Sequence, residues 1–69
     1  MKNRLRVIRA EKKMSQQKLA EMCGVSRTAI NGIENERVTP NGDTLLKISK
    51  ALNTPLDEIF LEFSLFKNI

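Results

Sequence analysis

Arg27, Thr28 and Asn31 stand at spacings of one and three, which places them together on the leading face of a helix. Their side chains are types that read nucleic-acid bases. Arginine can donate two hydrogen bonds to guanine O6 and N7, and asparagine can pair with adenine N6 and N7. Threonine can touch a thymine methyl group or bond a base edge or a phosphate. Residues suited to phosphate flank them: Gln16, Gln17 and Lys18 upstream, Asn35 and Arg37 downstream. Gln16 has a specific reason to serve, because an amide at a helix start can hold a phosphate together with the free backbone N–H groups. Arg37 is cationic, although Glu36 beside it weakens the local field. Taken alone, such a face is also what any solvated helix presents, so the elements that carry these residues decide between the two.

The composition closes off most other chemistry. The chain has 69 residues, one cysteine and no histidine. Without histidine there is no Ser-His or Cys-His pair, and Cys23 alone cannot form an internal disulfide. The carboxylates lack the spacing of a calcium loop, and no phosphate-loop motif is present. No catalytic residue, metal or cofactor is therefore expected. No apolar run approaches the ~18 residues of a membrane span, and no signal-peptide stretch follows Met1. These features point to a soluble, cytoplasmic protein with no membrane partner.

Twelve basic against eight acidic side chains give a net charge of +4. The excess is uneven. Residues 1–37 hold nine basic and four acidic groups, a net +5, whereas residues 38–69 hold three basic and four acidic, a net −1. The first part can face a polyanion and the second reads as support or assembly surface.

Five short segments read as helices between regular punctuation marks. The first, about 4–13, can start from Asn3, with Leu5 and Ile8 as its apolar face. The second, 16–23, follows Ser15, a good N-cap, with Met14 and Leu19 placed as a hydrophobic staple. Ser26 repeats the device with Val25 and Ile30, so a third helix covers 27–35. The fourth, 43–52, starts at Asn41 or Asp43 and shows Leu45, Leu46, Ile48, Ala51 and Leu52 on a broad face. The fifth opens Thr54-Pro55-Leu56-Asp57, a cap and a first-turn proline, with Leu56, Ile59 and Phe60 facing inward.

Helices two and three are joined by Gly24-Val25-Ser26 alone. Gly24 suits the left-handed end of a helix. So short a link forces a steep crossing, and Ala20 sits where the backbones come closest. This is the pattern of a helix-turn-helix unit, whose second helix has the width of the DNA major groove. Asn31-Gly32 is also a hairpin signal, but its flanks do not alternate, so it reads as helix. Gly32 allows either close approach to bases or tight packing and early fraying. Cys23 reads as a small buried apolar residue, and Met14 and Met22 as packing residues.

Ser15-Gln16-Gln17-Lys18-Leu19-Ala20-Glu21, Gly24-Val25-Ser26-Arg27-Thr28-Ala29-Ile30 and Ile33-Glu34 resemble the Cro/cI-type (XRE) helix-turn-helix repressors of phages and bacteria. Pro40 with residues 45–52, and Leu56-Asp57-Glu58-Ile59-Phe60, resemble that family's fourth and fifth helices. The resemblance covers residues 3–61. It implies an all-α fold, a compact five-helix lambda-repressor-like domain over 1–61, that binds double-stranded DNA as a homodimer. It also implies that Arg9 and Glu34 form a partly buried ion pair fixing helix three. A helix-turn-helix protein that has kept the fold but binds another protein, as an antitoxin does, is the alternative.

Residues 62–69 lie outside the resemblance as a short apolar C-terminal tail. All three phenylalanines, Phe60, Phe63 and Phe66, fall in the last ten residues. Leu56, Ile59, Phe60, Phe63 and Phe66 fit a helical face; Leu61, Phe63 and Leu65 fit a strand. A helix would run long for its type, so an extended tail is expected. Tail and helix five together are the candidate dimer surface, with folding back over the chain's own core as the other option. Two recognition helices related by a twofold axis would read half-sites about one turn apart, ~34 Å. A domain this small has little volume for a small-molecule effector.

Overall fold

The computed structural model describes residues 1–64, Ser64 by its backbone alone. Six helices form: α1 Leu5–Glu11, α2 Gln16–Cys23, α3 Arg27–Glu34, α4 Gly42–Leu52, α5 Leu56–Ile59 and α6 Leu61–Ser64. There is no strand among the described residues; one isolated antiparallel bridge joins Asn3 to Phe60. The fold is all-α as its sequence implied, with a short sixth helix added. None of the described helices is long and apolar enough to cross a membrane.

Local chemistry sets the helix starts. Ser15 Oγ accepts from the Lys18 N–H and Ser26 Oγ from the Ala29 N–H, both at 3.0 Å. Asn41 caps α4 by accepting from the Thr44 N–H at 2.9 Å, which settles the choice between Asn41 and Asp43. Each of these bonds satisfies a donor that the helix itself leaves orphaned.

The ends of α1 to α4 share one device. Residues Lys13, Gly24, Glu36 and Asn53 all adopt positive φ, between 49° and 67°. At each end the left-handed residue and its successor donate back in a crossed pair, as where Gly24 N–H meets the Glu21 carbonyl and Val25 N–H meets that of Ala20. This double bond is the Schellman termination.

Every helix from α1 to α5 contributes to one core. Leu5 and Ile8 come from α1, Leu19, Ala20 and Cys23 from α2, Ile30 and Ile33 from α3, Leu45, Ile48 and Leu52 from α4. Ile59 and Phe60 close it from below, and neither keeps any exposed surface. Fully burying a side chain of this size contributes about 1.5–3 kcal/mol. Met22, expected to pack, is instead half exposed on the outer side of α2.

The C-terminal segment departs from expectation in two ways. Residues 61–64 form a helical turn rather than an extended tail, and the long helix does not form either. Phe60 is extended, φ −113° and ψ 112°. Its neighbours pair with the N-terminal chain: the Arg4 N–H meets the Ile59 carbonyl at 2.7 Å and the Leu61 N–H meets that of Lys2 at 3.2 Å. These bonds replace helical ones and turn the Phe60 ring into the core. Ile59 and Phe60 are thus core residues, not dimer surface, because the apolar face of α5 is spent on its own domain. Leu56 and Phe63 are half-buried against that core, and Leu61 is exposed. Leu65 and Phe66 lie outside the described residues.

Candidate nucleic-acid interface

Gly24 takes φ 67° and ψ 30° between α2 and α3. No heavy atom lies within 4 Å of the position a Cβ would take there, so the backbone conformation, not crowding, requires glycine. Ala20, 1 % exposed, is buried in the same core as Leu19 and Ile30. The tight turn leaves the first turns of α2 and α3 side by side at the surface.

Gln16, Arg27, Thr28 and Asn31 line one shallow depression of about 240 Å³ there. Arg27 and Thr28 are exposed and Asn31 is half-buried. The side chains of Arg27, Thr28 and Lys18 make no hydrogen bond or ion pair with the described residues, and so point unengaged from an edge with basic character. Gln17 Nε2 donates to Glu21 Oε1 at 3.2 Å along the outer face of α2.

Beneath this edge runs a polar network. Glu34 accepts from Arg9 twice, Nε to Oε2 at 3.3 Å and Nη2 to Oε1 at 3.0 Å. Arg9 Nη1 also donates to the Met14 carbonyl at 2.7 Å. Glu34 Oε2 further accepts from Gln16 Nε2 at 3.1 Å, and Arg6 Nε stands 3.7 Å from Oε1. The Glu34 side chain is 0 % exposed and that of Arg9 15 %. One carboxylate therefore fixes the N-terminus of α2, the end of α3 and the flank of α1 against one another. It also sets the Gln16 side chain, so that this residue is positioned before any ligand arrives.

The network continues along α3. Arg6 Nη2 donates to Asn35 Oδ1 at 3.0 Å. Asn35 Nδ2 donates to the Asn31 carbonyl at 2.9 Å and to Asn31 Oδ1 at 3.2 Å. Arg37 Nη2 donates to the same Oδ1 at 2.9 Å. Asn35 and Arg37 thus lie beside Asn31 at the far end of the helix. Gly32 faces inward, where a Cβ would fall 2.7 Å from Val38 Cγ2. Of the two uses open to this glycine, the fold takes tight packing.

The role of Arg6 and one contact of Asn3 escaped sequence reasoning. Arg6 precedes Arg9 by three positions, a spacing that shares a helix face and was signal enough. Asn3 Nδ2 donates to the Ile33 carbonyl at 2.9 Å, holding the end of α3, and its Oδ1 accepts from the Leu5 N–H at 3.0 Å, although the N-cap position of α1 falls on Arg4, one residue later than expected. No local pattern announces the first of these bonds. Cys23 is buried, and burial pushes its thiol up from the ordinary value while the charge of Lys47 partly opposes this.

A family model described as helix-turn-helix matches residues 5–59. The HTH-type transcriptional regulator PuuR of Escherichia coli K12 is 39% identical over 59 residues, 86% of this chain and 32% of that protein. The chain therefore spans about a third of the length of that relative. Among solved structures, the P22 c2 repressor in complex with a synthetic operator superposes with a TM-score of 0.75 at 42% identity, covering 78% of this chain and 82% of the other. The restriction-modification controller protein C.AhdI of Aeromonas hydrophila gives 0.76 at 33%, covering 80% and 83%.

Proposed function

Since this chain belongs to the helix-turn-helix family, we propose that it is a transcriptional regulator that binds double-stranded DNA sequence-specifically through α3 in the major groove. The observation that carries this reading is the single depression in which Gln16, Arg27, Thr28 and Asn31 meet. A phosphate-type residue at a helix N-terminus adjoins three base-reading side chains on the neighbouring helix, which is the division of labour such interfaces use. The related P22 c2 repressor was solved on a synthetic operator, and its likeness supports the same mode here.

In this reading Arg27, Thr28 and Asn31 contact bases, while Gln16, Gln17, Lys18 and Arg37 face phosphates; Asn35, expected among them, has its amide taken up by Arg6 and Asn31 and positions Asn31 instead. The protein acts as a repressor, as the P22 relative is named, and binds an inverted repeat as a homodimer. A single eight-residue helix reads few base pairs, and twofold repetition doubles them. Fluorescence anisotropy with labelled duplexes tests this directly. One inverted repeat should bind at least ~10³-fold tighter than random duplex at equal salt, and affinity should fall steeply as salt rises. Equal affinity for every duplex refutes specific regulation. Arg27→Ala should cost ~1–3 kcal/mol at one operator position, and repression should appear in a promoter–reporter pair.

A further inference from the structure

We propose that Asn31 reads its base pair as a hydrogen-bond donor alone, because Arg37 and Asn35 hold its side-chain oxygen, so that guanine is preferred to adenine at that position. The inference rests on the DNA-binding reading above and specifies what one of its contacts selects.

Asn31 Oδ1 accepts from Arg37 Nη2 at 2.9 Å and from Asn35 Nδ2 at 3.2 Å. A carbonyl oxygen has two lone pairs, and both are taken. Turning the amide over would aim its NH2 group at two donors, one of them a guanidinium that can never accept. Asn35 is itself fixed, since its Oδ1 accepts from Arg6 Nη2 at 3.0 Å. Its Nδ2 also grips the Asn31 backbone carbonyl at 2.9 Å. Arg6 in turn stands beside the buried Glu34 carboxylate, 3.7 Å away. The orientation of Asn31 is thus set by a chain that ends in the core ion pair.

What remains for DNA is the Asn31 NH2 group. Adenine presents N7 as acceptor beside an N6 donor, and asparagine needs its oxygen to satisfy the second. With that oxygen occupied, adenine N6 meets no acceptor. Guanine presents two acceptors, N7 and O6, and suits a donor. Arg37 uses one N–H on Asn31 and keeps the others for a phosphate, so both roles coexist. Asn35 and Arg37 are positioning residues here.

Selection of bound sequences from a random duplex pool tests the proposal. The base pair concerned is the one whose discrimination disappears in Asn31→Ala. There the wild type should prefer guanine over adenine by roughly 5- to 100-fold. The double variant Asn35→Ala/Arg37→Met frees the oxygen and should shift the preference to adenine. Arg37→Lys, which keeps a cation and a donor, should keep guanine. All the altered side chains sit at or near the surface, and thermal melts verify that the variants fold. If Arg37 served phosphate alone, its loss would weaken all sequences equally and leave base preference unmoved, which would overturn the proposal. Wild-type preference for adenine would overturn it while leaving specific binding intact. A pool yielding no motif at all would overturn both readings.

Discussion

Glu34 is a carboxylate with no exposed side-chain surface, a state that is costly unless its charge is answered. Arg9 answers it with two bonds, and Gln16 adds a third. Removing Arg9 leaves the charge buried with only Arg6 nearby. Arg9→Leu should therefore lose about 3 kcal/mol or more in urea denaturation, whereas Arg9→Leu/Glu34→Leu should recover much of that, since no orphaned charge remains. A double variant as weak as the single would show that packing, not charge, is what Arg9 supplies. Family likeness pointed to this pair; residue type alone did not, because an arginine and a glutamate 25 positions apart carry no local sign of meeting. Cys23 makes a second claim at this scale. Its folded-state value lies above the ordinary thiol value, with burial the larger cause and Lys47 opposing. The folded state thus holds the proton longer than the unfolded chain. The thiol's contribution is complete below the ordinary thiol range and is lost as pH rises through the folded value. Urea midpoints should fall on moving from neutral to alkaline pH, by less in Cys23→Ala than in the wild type. Native Cys23 should also react far more slowly with a thiol reagent than the unfolded chain does.

Helix starts were legible because a serine or asparagine advertises its capping oxygen. Ser15 and Ser26 announced α2 and α3 to the residue, and with them the helix-turn-helix. Helix ends were legible at Gly24 and at Asn53, where the predicted second and fourth helices stop at the observed residues. Lys13, Glu36 and Asn53 take the same left-handed backbone, but a lysine or glutamate does not signal it, so α1 and α3 were read one or two residues too long. The break between α5 and α6 was hidden for a different reason: the N-terminal chain imposes it by pairing with residues 59–61. The left-handed positions yield a matched pair of expectations. Gly24→Ala should destabilise by ~1–2 kcal/mol from strain alone, since space is free there. Glu36→Gly relieves that strain and adds back ~0.5–1 kcal/mol of chain entropy cost, so it should stabilise by up to about 1 kcal/mol. Chemical denaturation of the two variants should therefore move in opposite directions. Movement in the same direction would mean that side-chain contacts, not backbone conformation, dominate at these ends.

At the scale of the whole molecule, the N-terminal chain joins two ends that the sequence leaves far apart. Residues 2–4 pair with the α5–α6 junction, and Asn3 reaches the Ile33 carbonyl at the end of α3. The candidate assembly surface and α3, the candidate reading helix, are thus braced by one short segment. That surface is narrower than the count of apolar residues implied, because Ile59 and Phe60 are enclosed by their own domain. Leu61 remains 44 % exposed, with Leu56 and Phe63 half-buried on the same terminal helices. A charge at Leu61 should leave the core untouched while opposing any apolar contact made across α6. In the homodimer proposed above, Leu61→Glu should therefore melt close to the wild type at low concentration, yet sediment as a monomer at concentrations where the wild type should sediment as a dimer. Its affinity for a single half-site should be unchanged. Its affinity for the full inverted repeat should fall by ~10²-fold or more, because the second half-site no longer benefits from the effective concentration a dimer supplies. If the variant stays dimeric with full operator affinity, the copies meet elsewhere. The half-exposed Met22 on α2 and Leu46 on α4 then become the surface to alter, and the same sedimentation and half-site measurements would decide it.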